Sequence, residues 1–542
     1  MHAGVLLLPA TAHPDTTLPG QELPDLPGMF NIWWLAYTQG IQGGMHSRMI
    51  MYPAVTDRFT IQGFPLDALF GAPWVAAFGL TAGFTLGVWS FLSGAGISMA
   101  WLAGRWWKSP IAALAGGIAF QTAGIYLREI NQGRSVHVLG AAFVPVGIAL
   151  ALDATDGVSQ RRRDVSAALS GLCAALSALA YWYWGVFVAG MLVATAIACF
   201  PERRALVRPI AVIFVSGLVF TSGPLLYTIG QAGSHAGVNA TLFDEVQDHA
   251  MLLNLLESRD LGSVFVVDGA AMIRPLSAIL CILASLTALK RVGLPWVWLA
   301  GGAVLAMGPM IQLPPIGDDW IEGIPLPGPF ASFSLVPLLR RLWWPDRMLF
   351  VGSVGFALLV AGGVARIVGK HRMAAVPLLL ALLAEPWLVS RNLPLDSTPL
   401  DDPRMQAIVT TLASGTGPLM LLPLTHPDGF ADLDFYLLQP LYGRPTVNGN
   451  IEPDATIAPL PFQLLFASGP PAELYACEGG NAPGRKSSLP GAVATWFRDA
   501  GVHDIYIDMD RASVFGPSYL DCVTGILGAG EDSGKFRTFR LQ

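Results

Sequence analysis

The chain has 542 residues, of which 53% are hydrophobic and only 13% charged, and its mean hydropathy is +0.52, which excludes an ordinary soluble protein and indicates a polytopic membrane protein. The net charge of −6 comes with no basic stripe and no nucleic-acid motif, so nucleic acid is not expected as a partner. The basic residues are mostly Arg, which points to a high-GC bacterial genome and to nothing about mechanism.

The first residues, MHAGVLLLPATAHP, are apolar but too short to cross a bilayer and lack the charged start and cleavage site of a signal peptide. They are expected to be the tail of a first transmembrane helix whose beginning is missing or lies upstream of the chosen start. The stretch HPDTTLPGQELPDLPGMFNIWW follows. It carries Asp15, Glu22 and Asp25, has no Lys or Arg, and enters the pair Trp33 and Trp34. Residues 30–67 mix aromatic, Gly and polar residues in the manner of interfacial helices. Residues 80–103 read as a span closed by Arg105 and Lys108, and 110–127 return across the membrane. The loop REINQGRSVH covers 128–137, and 138–152 cross again before the turn of Arg161, Arg162 and Arg163.

Residues 165–180 and 184–200 form a hairpin joined by Tyr181, Trp182 and Tyr183. Arg203, Arg204 and Arg208 precede a span at 209–229, and the acidic segment 230–274 reads as a sizeable loop. Spans at 275–289 and 294–311 flank Lys290 and Arg291. The Pro- and Gly-rich stretch 312–347 follows, and spans at 348–365 and 373–388 flank Arg366, Lys370 and Arg372. The short basic turns fall on every second connection, which places them in the cytoplasm. The connections 14–79, 128–137, 230–274 and 312–347 are then extracytoplasmic, and about 10–11 transmembrane helices result.

From residue 391 the composition becomes that of a soluble α/β piece. DPRMQAIVTTLAS reads as a helix with Asp402 near its start, PLMLLPL as a buried strand, SLPGAVATWFRDAG as a helix stopped by Gly501, and DIYIDMD as a strand. The expected fold is therefore an all-α polytopic membrane domain over 1–390 with a small C-terminal extracytoplasmic α/β domain over 391–542. Cys173, Cys199 and Cys281 lie in apolar runs and behave as buried hydrophobes, whereas Cys477 and Cys522, on the outer side, are expected to pair. No cysteine has metal-ligand spacing.

Three stretches resemble the GT-C class of membrane glycosyltransferases. PGQELPDLPGMFNIWW is similar to that class's first outer loop, GRSVHVLGAAFVPVGIALALD to its Gly-x-x-x-His stretch leading into a Pro-containing span, and VPLLRRLWWPDRMLF to the Pro and Arg motif before a late span. The likeness covers roughly 14–390 and LLPLTHPDGFADLDFYLLQPLYGRPTVNGN in the terminal domain. It implies transfer of a sugar from a polyprenyl-phosphate donor to a glycan, lipid or protein acceptor at the outer face of the inner (plasma) membrane. Such a reaction asks for a base to take the acceptor's proton and for cations to hold the leaving phosphate.

Asp25 is the expected base, with Glu22 second and Asp15 third. This sequence lacks the adjacent acid pair of some members, which leaves open both that choice and the use of a divalent metal. Arg134, His137, Arg341 and Arg347 are expected at the phosphate, since guanidinium forks grip phosphate oxygens in two places. Glu129 is expected to pair with Arg134, and Trp33 and Trp34 to anchor the lipid-borne substrate. The alternatives are a non-catalytic scaffold in envelope polysaccharide assembly and a lipid or glycolipid transporter. The apolar runs carry few ionisable groups and show no matched broken helices, features that argue against a pump or an inverted-repeat transporter.

Overall fold

The computed structural model describes residues 2–541 except 22–24, 50–55, 58–65, 157–158, 200–202, 236–265, 268–269, 272–273, 309, 313–324, 332–344, 390–392, 394, 425–432, 449–464, 467–469 and 479–490. The chain divides into two compact units. One consists of Met1–Gln21, Pro73–Gln231 and Gln247–Thr398, the other of Glu22–Ala72, Ala232–Val246 and Pro399–Gln542.

The first unit holds the helices α1 (Leu80–Trp107), α2 (Pro110–Gln121), α3 (Gly124–Asn131), α4 (Ser135–Asp156), α5 (Gln160–Ala180), α6 (Trp182–Cys199), α7 (Arg203–His235), α8 (Pro275–Thr287), α9 (Leu289–Ala306), α10 (Leu349–Lys370) and α11 (Ala375–Val389). Among the described residues six helices are long and apolar enough to cross a membrane, and α2 with α3, bent by 44°, makes a seventh if counted as one broken span. The multi-pass helical fold expected from hydropathy is the one observed. Between spans the lipid supplies no hydrophobic drive, so helices associate through close packing and interhelical hydrogen bonds. Ser170 and Ser177 of α5 accordingly donate to the Gly147 and Gly140 carbonyls of α4, each at 2.8 Å.

The basic turns gather at one end of this unit. Arg105 of α1 pairs with Asp153 of α4 at 2.6 Å, and the Trp106 indole donates to the Arg291 carbonyl at 3.1 Å. At the other end, the short strand Thr17–Pro19 pairs with Ser397–Pro399, and Asn131 donates to Asp396 at 3.0 Å. Residues 128–137 are not the open loop expected from their polarity. They are helical to Asn131, turn over three residues and resume as α4, because their polar side chains are satisfied by one another inside the protein. The hydrophobic start forms two short helices, His2–Leu6 and Leu8–Ala12.

In the second unit four strands, β1 (Leu419–Leu422), β2 (Asp504–Asp508), β3 (Glu531–Ser533) and β4 (Phe536–Arg540), form a sheet in the order β3-β4-β2-β1. β1 and β2 are parallel and β2 and β4 antiparallel, with Leu419 opposite Asp504 and Asp508 opposite Phe536. Asp402 caps the Pro403–Ala413 helix by accepting from the Arg404 amide at 2.8 Å. Met420, Leu422, Phe497, Ile505, Ile507, Val523 and Phe539 form the core of this sheet and its helices. Cys477 and Cys522 are joined by a disulfide that ties the helices Pro471–Cys477 and Pro517–Leu527 together.

The acidic segment 22–72, expected with the transmembrane part, belongs instead to this unit. Its helix Asp25–Met45 packs on Leu433–Tyr442, where the Asn31 amide donates to the Tyr436 carbonyl and to Gln439, both at 3.0 Å. Composition, which suggested a boundary at residue 391, does not register contacts some 400 residues apart in sequence.

Candidate active site

The first unit carries a group of ionised side chains buried at the end opposite the basic turns. It is built on the junction of α3 and α4. The chain leaves α3 through Gly133 at φ 75°, a left-handed conformation that costs a residue with a Cβ roughly 1–2 kcal/mol. The Gly133 amide donates to the Ile130 carbonyl at 2.8 Å and the Arg134 amide to the Glu129 carbonyl at 2.8 Å. These two bonds are a Schellman closure, in which the last residue of the motif normally packs an apolar side chain on the third from the helix end. Here an ion pair replaces that apolar contact, with Arg134 Nη1 3.5 Å from Glu129 Oε2. Gly133→Ala is expected to lower thermal stability by about 1–2 kcal/mol and to weaken any anion binding that depends on Arg134. Both are measurable on protein purified in detergent.

Glu129 is 2% exposed and lies at the centre of the group. Oε2 also accepts from His137 Nδ1 at 2.6 Å, and Oε1 accepts from Arg128 Nη2 at 3.0 Å. A carboxylate is acceptor-only, so the proton on that contact belongs to His137 Nδ1. The His137 ring is held from the other side by aromatic residues. Its centroid lies 4.1 Å from that of Tyr181, and the Trp184 indole donates to the His137 carbonyl at 3.0 Å. Trp184 fits because residue 140 is glycine, where a Cβ would stand 2.5 Å from the indole.

The second contribution comes from the one-turn 3-10 helix Pro345–Met348 at the start of α10. Asp346 takes a charge-assisted hydrogen bond from Arg128 across 218 residues of sequence. Arg347 lies over the Tyr181 and Tyr183 rings, its guanidinium carbon 4.7 Å and 5.6 Å from their centroids. Three guanidiniums, two carboxylates and one imidazole thus meet within a wall of Tyr181, Tyr183 and Trp184. Arg128, Glu129, His137, Asp346 and Arg347 are all buried, whereas the Arg134 side chain is 15% exposed. Chemically, such a site can hold an anion by its guanidinium edges while the carboxylates keep those edges in place.

The sequence-derived residues therefore separate. Glu129, Arg134, His137 and Arg347 come together as one group. Asp15 belongs to the same unit but is exposed on a turn. Asp25 stands half-buried in the first turn of its helix in the other unit. Glu22 and Arg341 lie outside the described residues. Trp33 is not an open lipid anchor. It is 1% exposed, donates to Asp67 at 2.8 Å and lies against Gly71, where a Cβ would overlap the indole. Trp34 beside it is half-buried. Among the described residues no group of three His, Cys, Asp or Glu side chains could hold a metal ion.

Sequence reasoning missed Arg128 and Asp346, although both lie in the stretches singled out above. A buried partner of each was the missing signal. Also missed were two further buried charged residues, Arg274 and Glu385. Arg274 donates to the Thr122 carbonyl at 2.9 Å and hydroxyl at 2.6 Å, and Glu385 accepts from the Ser277 amide at 3.1 Å.

No family model and no curated protein matches the sequence. Among solved structures, the chain is similar to the Archaeoglobus fulgidus oligosaccharyltransferase in complex with Zn and sulfate, at 12% identity and TM-score 0.49, over 97% of this chain and 69% of that one. It is also similar to the arabinofuranosyltransferase AftD from Mycobacteria, at 14% identity and TM-score 0.49, and the match covers all of this chain but 41% of AftD. A third likeness is to ArnT from Cupriavidus metallidurans bound to undecaprenyl phosphate, at 13% identity and TM-score 0.41, over 100% and 96% of the two chains.

Proposed function

We propose that this multi-pass membrane protein is a GT-C-type glycosyltransferase that moves a sugar from a polyprenyl-phosphate donor to a glycan, lipid or protein acceptor. The observation that carries the reading is the convergence of Arg128, Arg134 and Arg347 on one group at the end of the spans, the first two paired with Glu129 and Asp346 and the third lying over the Tyr181 and Tyr183 rings. Ions removed from water at a cost of several kcal/mol each are a heavy burden for a bundle that needs only apolar packing to fold. A phosphate leaving group gives them a purpose. In the transfer the acceptor hydroxyl attacks the anomeric carbon, the bond from that carbon to the phosphate oxygen breaks, and the guanidiniums hold the developing charge. Asp25 takes the hydroxyl proton, with Glu22 and Asp15 as the remaining carboxylates in that role. The site faces the outer side of a bacterial inner membrane, where the Cys477–Cys522 disulfide persists.

The direct test replaces Arg134 and Arg347 singly by Ala in purified protein and follows transfer of radiolabelled sugar from a synthetic polyprenyl-phosphate donor to membrane acceptors. Each substitution is expected to slow transfer by about 10- to 100-fold, the worth of one charge-assisted hydrogen bond, and Arg134→Lys to restore only part of it. Unchanged transfer in both Ala variants would remove the guanidiniums from the reaction. A scaffold would show no covalent product from the wild type, and a transporter would move labelled lipid across liposomes with its donor intact.

A further inference from the structure

At the basic end of the first unit the ends of α1, α8, α9 and α10 border an open-sided cavity of about 490 Å³. Arg291 enters it from the start of α9 and Arg366 from the end of α10, with Trp107, Leu286, Thr287 and Gly362 among the other walls. Two features bear on these arginines. Arg105 and Arg208, at the same end, are engaged by Asp153 and Asp164, whereas no carboxylate among the described residues pairs with Arg291 or Arg366. The wall between them is also built to a fixed shape. The Trp107 indole donates to the Leu358 carbonyl at 2.7 Å and lies flat on α10 because residue 362 is glycine, where a Cβ would stand 2.4 Å from the ring.

We propose that this cavity binds the phosphodiester head of an anionic glycerophospholipid. Two guanidiniums on separate helices at the membrane surface match a single phosphodiester, and basic pockets between transmembrane helices recognise such heads. The apolar part of the ligand also has a place. Ile279, Ile282 and Leu286 of α8 are 61%, 57% and 75% exposed and, at spacings of three and four residues, form one stripe leading to the cavity mouth. An acyl chain lies along that stripe, which a free phosphate ion leaves uncovered. α10 is about 33 Å long at 1.5 Å per residue. Arg347 lies just before this helix, in the 3-10 helix Pro345–Met348, and Arg366 lies near its other end at Lys370, so this site is separated from the candidate active site by most of a membrane thickness.

The test is native mass spectrometry of the full-length protein in neutral detergent with phosphatidylglycerol or phosphatidylcholine, together with the Arg291→Ala/Arg366→Ala variant and millimolar inorganic phosphate. The wild type is expected to retain phosphatidylglycerol on the order of tenfold better than phosphatidylcholine. That preference disappears in the double variant, and inorganic phosphate does not displace the lipid. Equal retention of the two lipids by the wild type overturns the proposal, as does an unchanged preference in the double variant. Displacement by inorganic phosphate overturns the lipid assignment and leaves a simple anion site. If the double variant does not fold, the wild-type comparison and the single Arg366→Gln variant, in which the preference should fall severalfold, decide the matter.

Discussion

Glu129→Ala is expected to cost about 3–5 kcal/mol of folding stability, the usual penalty for breaking a buried ion pair by removing one partner. The carboxylate is 2% exposed and touches Arg128, Arg134 and His137 at 3.0, 3.5 and 2.6 Å. Without it, two guanidiniums face each other in a poorly solvated site with Asp346 as the described carboxylate left beside them. The loss should appear as a lower unfolding temperature in detergent and as poor recovery from the membrane. Glu129→Gln keeps the shape and one acceptor oxygen, so its loss should be smaller. Equal stability of wild type and Glu129→Ala would mean that the three contacts do not hold this end of the bundle together.

Asp25→Asn is the second substitution with a large expected effect, and it acts chiefly on rate. A positioned general base contributes typically 10²- to 10⁴-fold, and transfer is expected to fall by about that factor while the unfolding temperature drops only slightly, by the roughly 0.3–1 kcal/mol a carboxylate contributes at a helix start. The half-buried position of Asp25 in the first turn of its helix suits a carboxylate, since the helix amino end favours negative charge. The measurement is transfer in the purified variant beside Asp15→Asn and its Glu22→Gln counterpart. If Asp25→Asn transfers at the wild-type rate and Glu22→Gln does not, the base is Glu22. If all three retain activity, the proton goes elsewhere.

Much of the fold was legible because its signals are local. A span announces itself by about 20 apolar residues, and Arg105, Arg161 and Arg366 mark one side of the membrane by charge alone. Two of the four strands of the C-terminal sheet, Leu419–Leu422 and Asp504–Asp508, were legible for the same reason, whereas Glu531–Ser533 and Phe536–Arg540, polar or charged in part, carried no such signal. The candidate site was legible in part. Arg134, His137 and Glu129 stand within nine residues of one another, so a motif could suggest their common use. Trp33 misled because a tryptophan beside another at a membrane surface looks like an anchor, whereas Asp67 and Gly71 had prepared a buried seat for it.

The sequence by itself determined that this chain crosses a membrane many times, where its helices run, which turns are basic and that a small α/β piece follows. These are properties of short windows, set by the cost of placing polar groups in hydrocarbon and by the periodicity of the backbone. Only the tertiary structure decided that Asp346 and Arg347 join Arg128 and Glu129, that the acidic amino-terminal helix belongs with the C-terminal residues, and that Arg291 and Arg366 share a cavity. Each of these depends on residues from distant parts of the chain sharing a desolvated space, and no local pattern encodes which charges will meet there.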